Sequence, residues 1–509
     1  MSTATATVSS PSRDPRTGAT HPGPADTPPE RVTALVEAAA AAAPAVAATS
    51  PVNRERWLVA LAVAFESTAA RLVELADAET SLGLERLSGE LGKTAAQARF
   101  YGAVTAEGSW LSARLDRVAG NAPVDLRRAN LPVGPVAVFG ASNFPFSFGV
   151  AGHDTLSALA AGCPVLVKAH PAHPRLSLWI GQLVAATLAD VGAPAGVFGL
   201  VVGFQAGLAL VDAPQMRTVA FTGSQAGGTA LVQRAGARPD PIPVFAEMGT
   251  VNPAVVTPAA AQADLAGIAE GFLASFTLGQ GQFCTKPGLL LTPRGAGAAN
   301  AVASALSAVR PGWSLTERIA AGYHDGLRAL VSAGARLVGE GCRAEAGFAV
   351  APTVLSADLD DLQPGSRLLE ECFGPVALVF EYDDLVQLRA ALGRLQPSLA
   401  AAVATAGPDD PDTGWLVAQL STRVGRVVVD GWPTGVATSW SQQHGGPWPA
   451  ASRQDATSVG AAALDRFTRP VAFQDVPESA LPAALRNDNP WGLPRRVDGV
   501  LQPPKGVGP

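Results

Sequence analysis

Cysteine and lysine are both scarce in this 509-residue chain, and each scarcity excludes something. The four cysteines, Cys163, Cys284, Cys342 and Cys372, stand far apart, with no CxxC pair and no Cys/His cluster. That spacing argues against a disulfide framework or a zinc site, so reduced thiols, a cytoplasmic location and no metal are expected. Lysine occurs four times, at Lys93, Lys168, Lys286 and Lys505. No Lys/Arg run forms a basic stripe, and the formal net charge is -6, so no nucleic acid or membrane partner is expected. No strongly apolar run reaches the roughly 18 residues of a membrane span. The alanine-rich stretch at 38–48 is interrupted by Pro44 and reads as a soluble helix. Residues 1–30 are rich in Ser, Thr, Pro and Gly, lack an apolar core of signal-peptide length, and read as a disordered tail.

What is present is a globular composition, with 48% hydrophobic and 16% charged residues. From about 31 to 110 the apolar spacing is helical, as at Leu58, Leu61, Ala62 and Phe65. Residues 111–130 show no clear period. From 134 onward short apolar runs (134–139, 164–168, 197–202, 217–221) alternate with helical segments (147–161, 175–190, 205–212). Such alternation marks βαβ units in a helix-covered parallel sheet. A second series runs from near 253 to Val-Gly-Arg-Val-Val-Val-Asp at 424–430, and beyond 440 the Pro, Gly and Trp content suggests an arm or interface segment.

Several residues invite a chemical reading beside a structural one. Cys284 lies in a loop, Gly-Gln-Gly-Gln-Phe-Cys-Thr-Lys-Pro-Gly (279–288), and is either a small buried hydrophobe or a nucleophile that needs an activating environment. Lys286 either lowers the thiol pKa or points to solvent. Glu247 ends an apolar strand, where a carboxylate must be paired, solvated or working as a base. Gly223, Ser224 and Gly228 belong to a strand–turn–helix that is either a capped helix or a pyrophosphate site. Lys168 ends the strand Pro-Val-Leu-Val, where open α/β sheets bind ligands, and suits a ribose or phosphate contact. His153, His170, His173 and His444 are scattered and complete no recognisable spacing.

Read in order, Asn143-Phe-Pro, Val-Lys168-Ala-His-Pro, Phe-Thr-Gly223-Ser-Gln-Ala-Gly-Gly228, Glu247-Met-Gly, Gly-Gln-Phe-Cys284-Thr and Glu370-Glu-Cys-Phe-Gly-Pro375 resemble the motifs of the aldehyde dehydrogenase superfamily, over roughly residues 45 to 490. The stretch from Gly152 to Pro174, with Pro241-Ile-Pro-Val, His444-Gly-Gly-Pro-Trp-Pro and Asn487-Asp-Asn-Pro-Trp-Gly, resembles the branch of α-ketoglutaric semialdehyde and NADP-dependent fatty aldehyde dehydrogenases. Departures are Lys286, where that branch often has a neutral residue, Gly249-Thr250, and the 432–440 stretch, read as a substrate loop.

The resemblance implies an α/β fold with a Rossmann-like cofactor domain (31–110 and 131–249), an α/β catalytic domain (250–438), and an oligomerisation arm with a C-terminal segment (111–130 and 439–509). It implies oxidation of an aldehyde, a semialdehyde such as 2,5-dioxopentanoate, through a thioester on Cys284. A medium- or long-chain fatty aldehyde is the alternative, and a CoA-acylating enzyme a lesser one. Asn143 would hold the oxyanion, Glu247 would activate water, and Lys168, Gly223, Ser224, Gly228, Glu371 and Phe373 would hold NADP or NAD. Pro171 stands where NAD-preferring relatives carry an acid, so NADP use at least comparable to NAD is expected. A homodimer or homotetramer is implied as well.

Overall fold

Runs such as Val-Ala-Val-Phe and Val-Leu-Val-Lys carry apolar residues on both faces, which only a strand covered on both sides can bury. In the computed structural model, which describes residues 9–120 and 123–504, five of them form one parallel sheet. Its order is Phe198–Val201, Val165–Lys168, Val136–Phe139, Thr218–Gly223, Val244–Met248. The strand order reverses at Val136–Phe139, so ligands are expected where the chain leaves the carboxyl ends of these strands. Asn143, Lys168, Gly223 and Glu247 all lie at or just beyond those ends.

The second series folds as a seven-stranded sheet: Arg336–Glu340, Thr353–Ser356, Val376–Tyr382, Leu289–Pro293, Pro253–Val256, Ser398–Ala404, Val424–Val429. The first strand is antiparallel to its neighbour and the rest are parallel. Cys284 and Phe373 precede the strands Leu289–Pro293 and Val376–Tyr382, and so enter from the amino ends of this sheet.

The segment without a clear period holds the strands Arg114–Val118 and Val124–Pro132. They join Thr468–Gln474, Arg495–Val497 and Val500–Gln502 in a third sheet. Its alternation is hidden because apolar Val118 and Leu126 are exposed while Arg127 is buried in ion pairs with Asp125 and Glu478.

Helical expectations fare unevenly. Ser50 caps Pro51–Ser67, accepting from Asn53 N at 3.3 Å, with proline in the first turn. Leu58, Leu61, Ala62 and Phe65 are all buried. The helix expected over 147–161 spans His153–Ala161, because the chain before it turns tightly, with His153 N bonded to Ser147 O at 2.9 Å. By length and composition Pro29–Ala48 is the one helix among the described residues that could cross a membrane. It lies with Val32, Val36, Ala39, Ala42 and Val46 buried in the protein core.

Two assignments from composition need correction. Residues 1–8 lie outside the described residues, but 9–28 are packed. Ser12–Arg13 pairs with Thr20–His21, Thr27 N donates to Val202 O at 2.9 Å, and Phe348 N donates to Pro15 O at 2.9 Å. The segment thus reaches from the end of the strand Phe198–Val201 to the chain just before Ala349–Val350, a contact between distant residues that composition cannot report. Residues 439–467 are not arm. Met248 N donates to Ala450 O at 2.8 Å and Ser452 N to Ala246 O at 2.9 Å. A Cβ on Gly425 would collide with the carbonyl of Gly445, so glycine is what lets this segment cross the Val424–Val429 strand.

Candidate active site

Cys284 follows a turn in which Gly279, Gln280 and Gly281 all have positive φ, at 57°, 60° and 63°. Glycine takes such angles freely, so Gly279 and Gly281 suit the turn, whereas Gln280 holds an angle costly for a side chain. Asn252, fully buried at φ 49°, clamps the loop from the other side. Its amide donates to the carbonyls of Cys284 at 2.7 Å and Lys286 at 3.1 Å, while its oxygen accepts from Ala400 N at 3.1 Å.

Two groups face the thiol. His444 Nε2 lies 3.6 Å from Cys284 Sγ and 3.3 Å from Glu247 Oε2. Both residues are almost fully buried, at 2% and 4% exposure. The contact is close, yet neither Glu247 oxygen makes an aligned hydrogen bond to protein. Glu247 is therefore a buried carboxylate set against Cys284 and His444 without a full complement of hydrogen bonds, a costly arrangement that would suit a base. Burial first, then the negative charges of Glu247 and Glu371, hold the Cys284 thiol well above its ordinary pKa. The neutral thiol is thereby favoured, and for a nucleophilic role a base would have to take its proton first.

Lys286 takes neither of the roles considered for it. It is 3% exposed, and its ammonium donates to the carbonyls of Cys372 at 2.9 Å, Gly374 at 2.9 Å and Val376 at 3.0 Å. Three N–H groups thus meet three acceptors, which fastens the nucleophile loop to the loop carrying Glu371 and Phe373. Burial pushes the Glu371 carboxyl up to about 7 while the neighbouring Lys286 charge opposes the rise.

Asn143 donates its amide to Gln282 O at 2.8 Å, which leaves its second N–H. Arg86 Nη2 donates to the Asn143 carbonyl at 2.8 Å, with its guanidinium over the rings of Phe144 and Phe283. Glu90 Oε1 accepts from Phe146 N at 2.9 Å and Ser147 N at 3.0 Å, fixing the turn that follows Asn143.

A cleft of about 1280 Å³ runs from Cys284, Glu247 and Asn143 past Phe373, Glu371, Gly223 and Ser224 to Lys168. Ser224 caps the helix Gln225–Gly236, its oxygen accepting from Gly227 N at 3.2 Å. Gly228, expected at the cofactor, faces the other way: a Cβ there would stand 2.5 Å from Met248 Sδ. It lets the helix pack on the Val244–Met248 strand, and Gly227 lines the cleft in its place. Glu371 Oε1 is buried without a partner at the cleft wall. An extended cleft, a capped helix N-terminus, a lysine at one end and an unsatisfied carboxylate oxygen near the other fit a dinucleotide with ribose hydroxyls to donate.

Residues 3–470 match the family described as "Aldehyde dehydrogenase family". The chain belongs to that family. This aldehyde dehydrogenase is 42% identical over 459 residues to alpha-ketoglutaric semialdehyde dehydrogenase 2 of Azospirillum brasilense, covering 88% of this chain and 87% of that one. It is 38% identical over 462 residues to the alpha-ketoglutaric semialdehyde dehydrogenase of Acinetobacter baylyi, covering 89% and 88%. Among solved structures, PnpE in complex with nicotinamide adenine dinucleotide shares the fold, at 20% identity and a TM-score of 0.79 over 93% of this chain and 96% of its own.

Four features of this aldehyde dehydrogenase are not legible in its sequence: the place of His444 at the thiol, Asn252, the partners of Lys286, and Asp26. His444 stood in a quoted motif but without a role, since nothing local shows that it meets a thiol 160 residues earlier. Asp26 gave no signal at all. It enters the Lys168 end of the cleft on the N-terminal segment, where Ser10 Oγ donates to it at 2.8 Å.

Proposed function

We propose that this aldehyde dehydrogenase oxidises a short semialdehyde carrying a distal carboxylate, of the 2,5-dioxopentanoate (α-ketoglutaric semialdehyde) type, to the acid. The names of two relatives near 40% identity support the substrate class. The observation that carries it here is Arg426, on the strand Val424–Val429. Burial pulls its pKa down, and a Cys284 thiolate, once formed, would oppose the fall. One nitrogen holds the 432–440 loop through the carbonyls of Pro433 and Gly435. We infer that the rest of the fork takes the substrate's distal carboxylate, the anion that guanidinium geometry matches best.

The residues divide the chemistry as follows. His444 or Glu247 takes the Cys284 proton, and the sulfur adds to the carbonyl carbon. The second amide N–H of Asn143 and the backbone N–H of Cys284 hold the oxyanion, a role typically worth roughly 10²- to 10³-fold in rate. NAD(P), when bound, supplies the hydride acceptor. Glu247 then takes a proton from water, which attacks the Cys284 thioester and frees the acid. A buried base beside the thiol supports water over coenzyme A as acceptor.

For the cofactor, no carboxylate stands between Ala169 and His173, which supports NADP use at least comparable to NAD, with Lys168 serving both. Asp26 is a counterweight within electrostatic reach of Lys168. Exposed Val118, Val500 and Leu501 on the arm sheet support assembly as a homo-oligomer, and the composition supports a cytoplasmic location.

The test compares kcat/KM for 2,5-dioxopentanoate, pentanal and long alkanals in the native enzyme and Arg426→Met. Losing a charge-assisted hydrogen bond costs about 1.5–3 kcal/mol, so the semialdehyde should lose roughly 10- to 100-fold. Pentanal should change little. Equal losses for both, or a native preference for long alkanals, would overturn the reading.

A further inference from the structure

We propose that Cys284, His444 and Glu247 together form a zinc-binding site through which Zn²⁺ reversibly shuts the enzyme off. Their ligand atoms, one sulfur, one imidazole nitrogen and one carboxylate oxygen, all lie within 4.8 Å of one another. Tetrahedral zinc with bonds of about 2.3 Å to sulfur and about 2.1 Å to nitrogen and oxygen sets its ligands about 3.6 Å apart for sulfur–nitrogen and about 3.4 Å for nitrogen–oxygen. The structure holds Sγ and Nε2 at 3.6 Å and Nε2 and Oε2 at 3.3 Å. Two of the three ligand separations are therefore those of an assembled site. The third, from sulfur to carboxylate oxygen, lies within 4.8 Å and shortens by a turn of the Glu247 carboxylate.

The free carboxylate is the second, independent indication. Glu247 is 4% exposed, and both its oxygens lack an aligned hydrogen-bond partner, so a cation supplies what the protein withholds. The donor set decides which cation. A thiolate and an imidazole suit zinc or cobalt, whereas magnesium and calcium want oxygen ligands that this cluster does not offer in number. Three protein ligands leave the fourth position to water, with entry through the cleft that reaches Cys284.

Binding is proton-coupled. The Cys284 S–H bond breaks, its proton goes to solvent, and a Zn–S bond forms. Nε2 of His444 gives its lone pair with the ring proton on Nδ1, and Glu247 gives one oxygen. The nucleophile's electron pair and the deacylation base are then both occupied, so attack and thioester hydrolysis stop together.

The test uses the full-length protein with Co²⁺ as probe and no aldehyde or NAD(P), so its result is independent of the proposed activity. One equivalent of Co²⁺ should give a near-ultraviolet thiolate charge-transfer band, which Zn²⁺ displaces and Mg²⁺ does not. Cys284→Ala should abolish the band. His444→Ala should weaken binding by more than the roughly 10- to 100-fold that loss of an outer partner costs. Cys342→Ala, at an exposed cysteine outside the site, should leave the band intact. In turnover assays with any accepted aldehyde, Zn²⁺ should inhibit and a chelator restore the full rate. Absence of the band in the native protein, or its persistence in Cys284→Ala, overturns the proposal. A native band with no aldehyde oxidation would leave the zinc site standing and sink the proposed function instead.

Discussion

Lys286 donates its ammonium to the carbonyl oxygen of Gly374 at 2.9 Å, which makes the residue two after Cys284 a fastener for the loop that carries Glu371 and Phe373. Lys286→Met should leave the carbonyls of Cys372, Gly374 and Val376 without their donor. An unsatisfied buried acceptor costs about 1–3 kcal/mol, so thermal unfolding should move down by several degrees. KM for NAD(P) should rise as Glu371 and Phe373 lose their register. An unchanged melting temperature with altered thiol reactivity would mean that the charge, not the three hydrogen bonds, is what matters.

His444 and Glu247 flank the same thiol and should separate kinetically. Glu247→Gln should keep a single-turnover burst of NAD(P)H and lose steady-state turnover. General-base removal typically costs roughly 10²- to 10⁴-fold. His444→Ala should slow alkylation of Cys284 by iodoacetamide as well as the burst itself. A lost burst in Glu247→Gln with normal alkylation in His444→Ala would exchange the two roles.

Asp26 faces Lys168 at the outer end of the cleft, carried there by the N-terminal segment. Like charges at close range repel by about 1–4 kcal/mol at intermediate dielectric, and about 1.4 kcal/mol is tenfold in affinity. Asp26→Asn should therefore raise the ratio of kcat/KM for NADP over NAD about tenfold or more. A fall for both cofactors alike would show that Asp26 only anchors the segment through Ser10.

Burial pushes the Glu90 carboxyl up to about 7, with its two backbone hydrogen bonds and Arg86 opposing the rise. A carboxyl whose folded pKa lies above its unfolded 4.5 contributes stability that is present below 4.5 and lost as pH rises through 7. The linkage amounts to roughly 3 kcal/mol at most. Glu90→Gln keeps an acceptor for Phe146 N and Ser147 N without the charge. Its unfolding free energy should be flatter than the native enzyme's between those pH values. Parallel curves would show that Glu90 titrates normally.

Much of this enzyme was legible in its chain because the informative patterns are local. Runs such as Val136–Phe139 and Val165–Lys168 are buried on both faces, and a strand of that kind needs no distant context to be read. Cys284, Glu247, Asn143 and Lys168 sit in turns and strand ends whose glycines and prolines announce a loop. Gly228 was misplaced because a helix turn has two sides, and only packing decides whether a glycine serves the ligand or Met248.

Local pattern determined the two large sheets, and the order of the family-like motifs marked Cys284 and Glu247; proximity was left to the tertiary structure. His444 meets Cys284 across 160 residues, Lys286 meets Gly374 across 88, and Asp26 reaches the cleft from a segment whose composition resembles a tail. None of these pairings has a sequence period. Each arises because burial forces polar groups to find partners wherever the packed sheets bring them, and that choice is made only when the whole chain has folded.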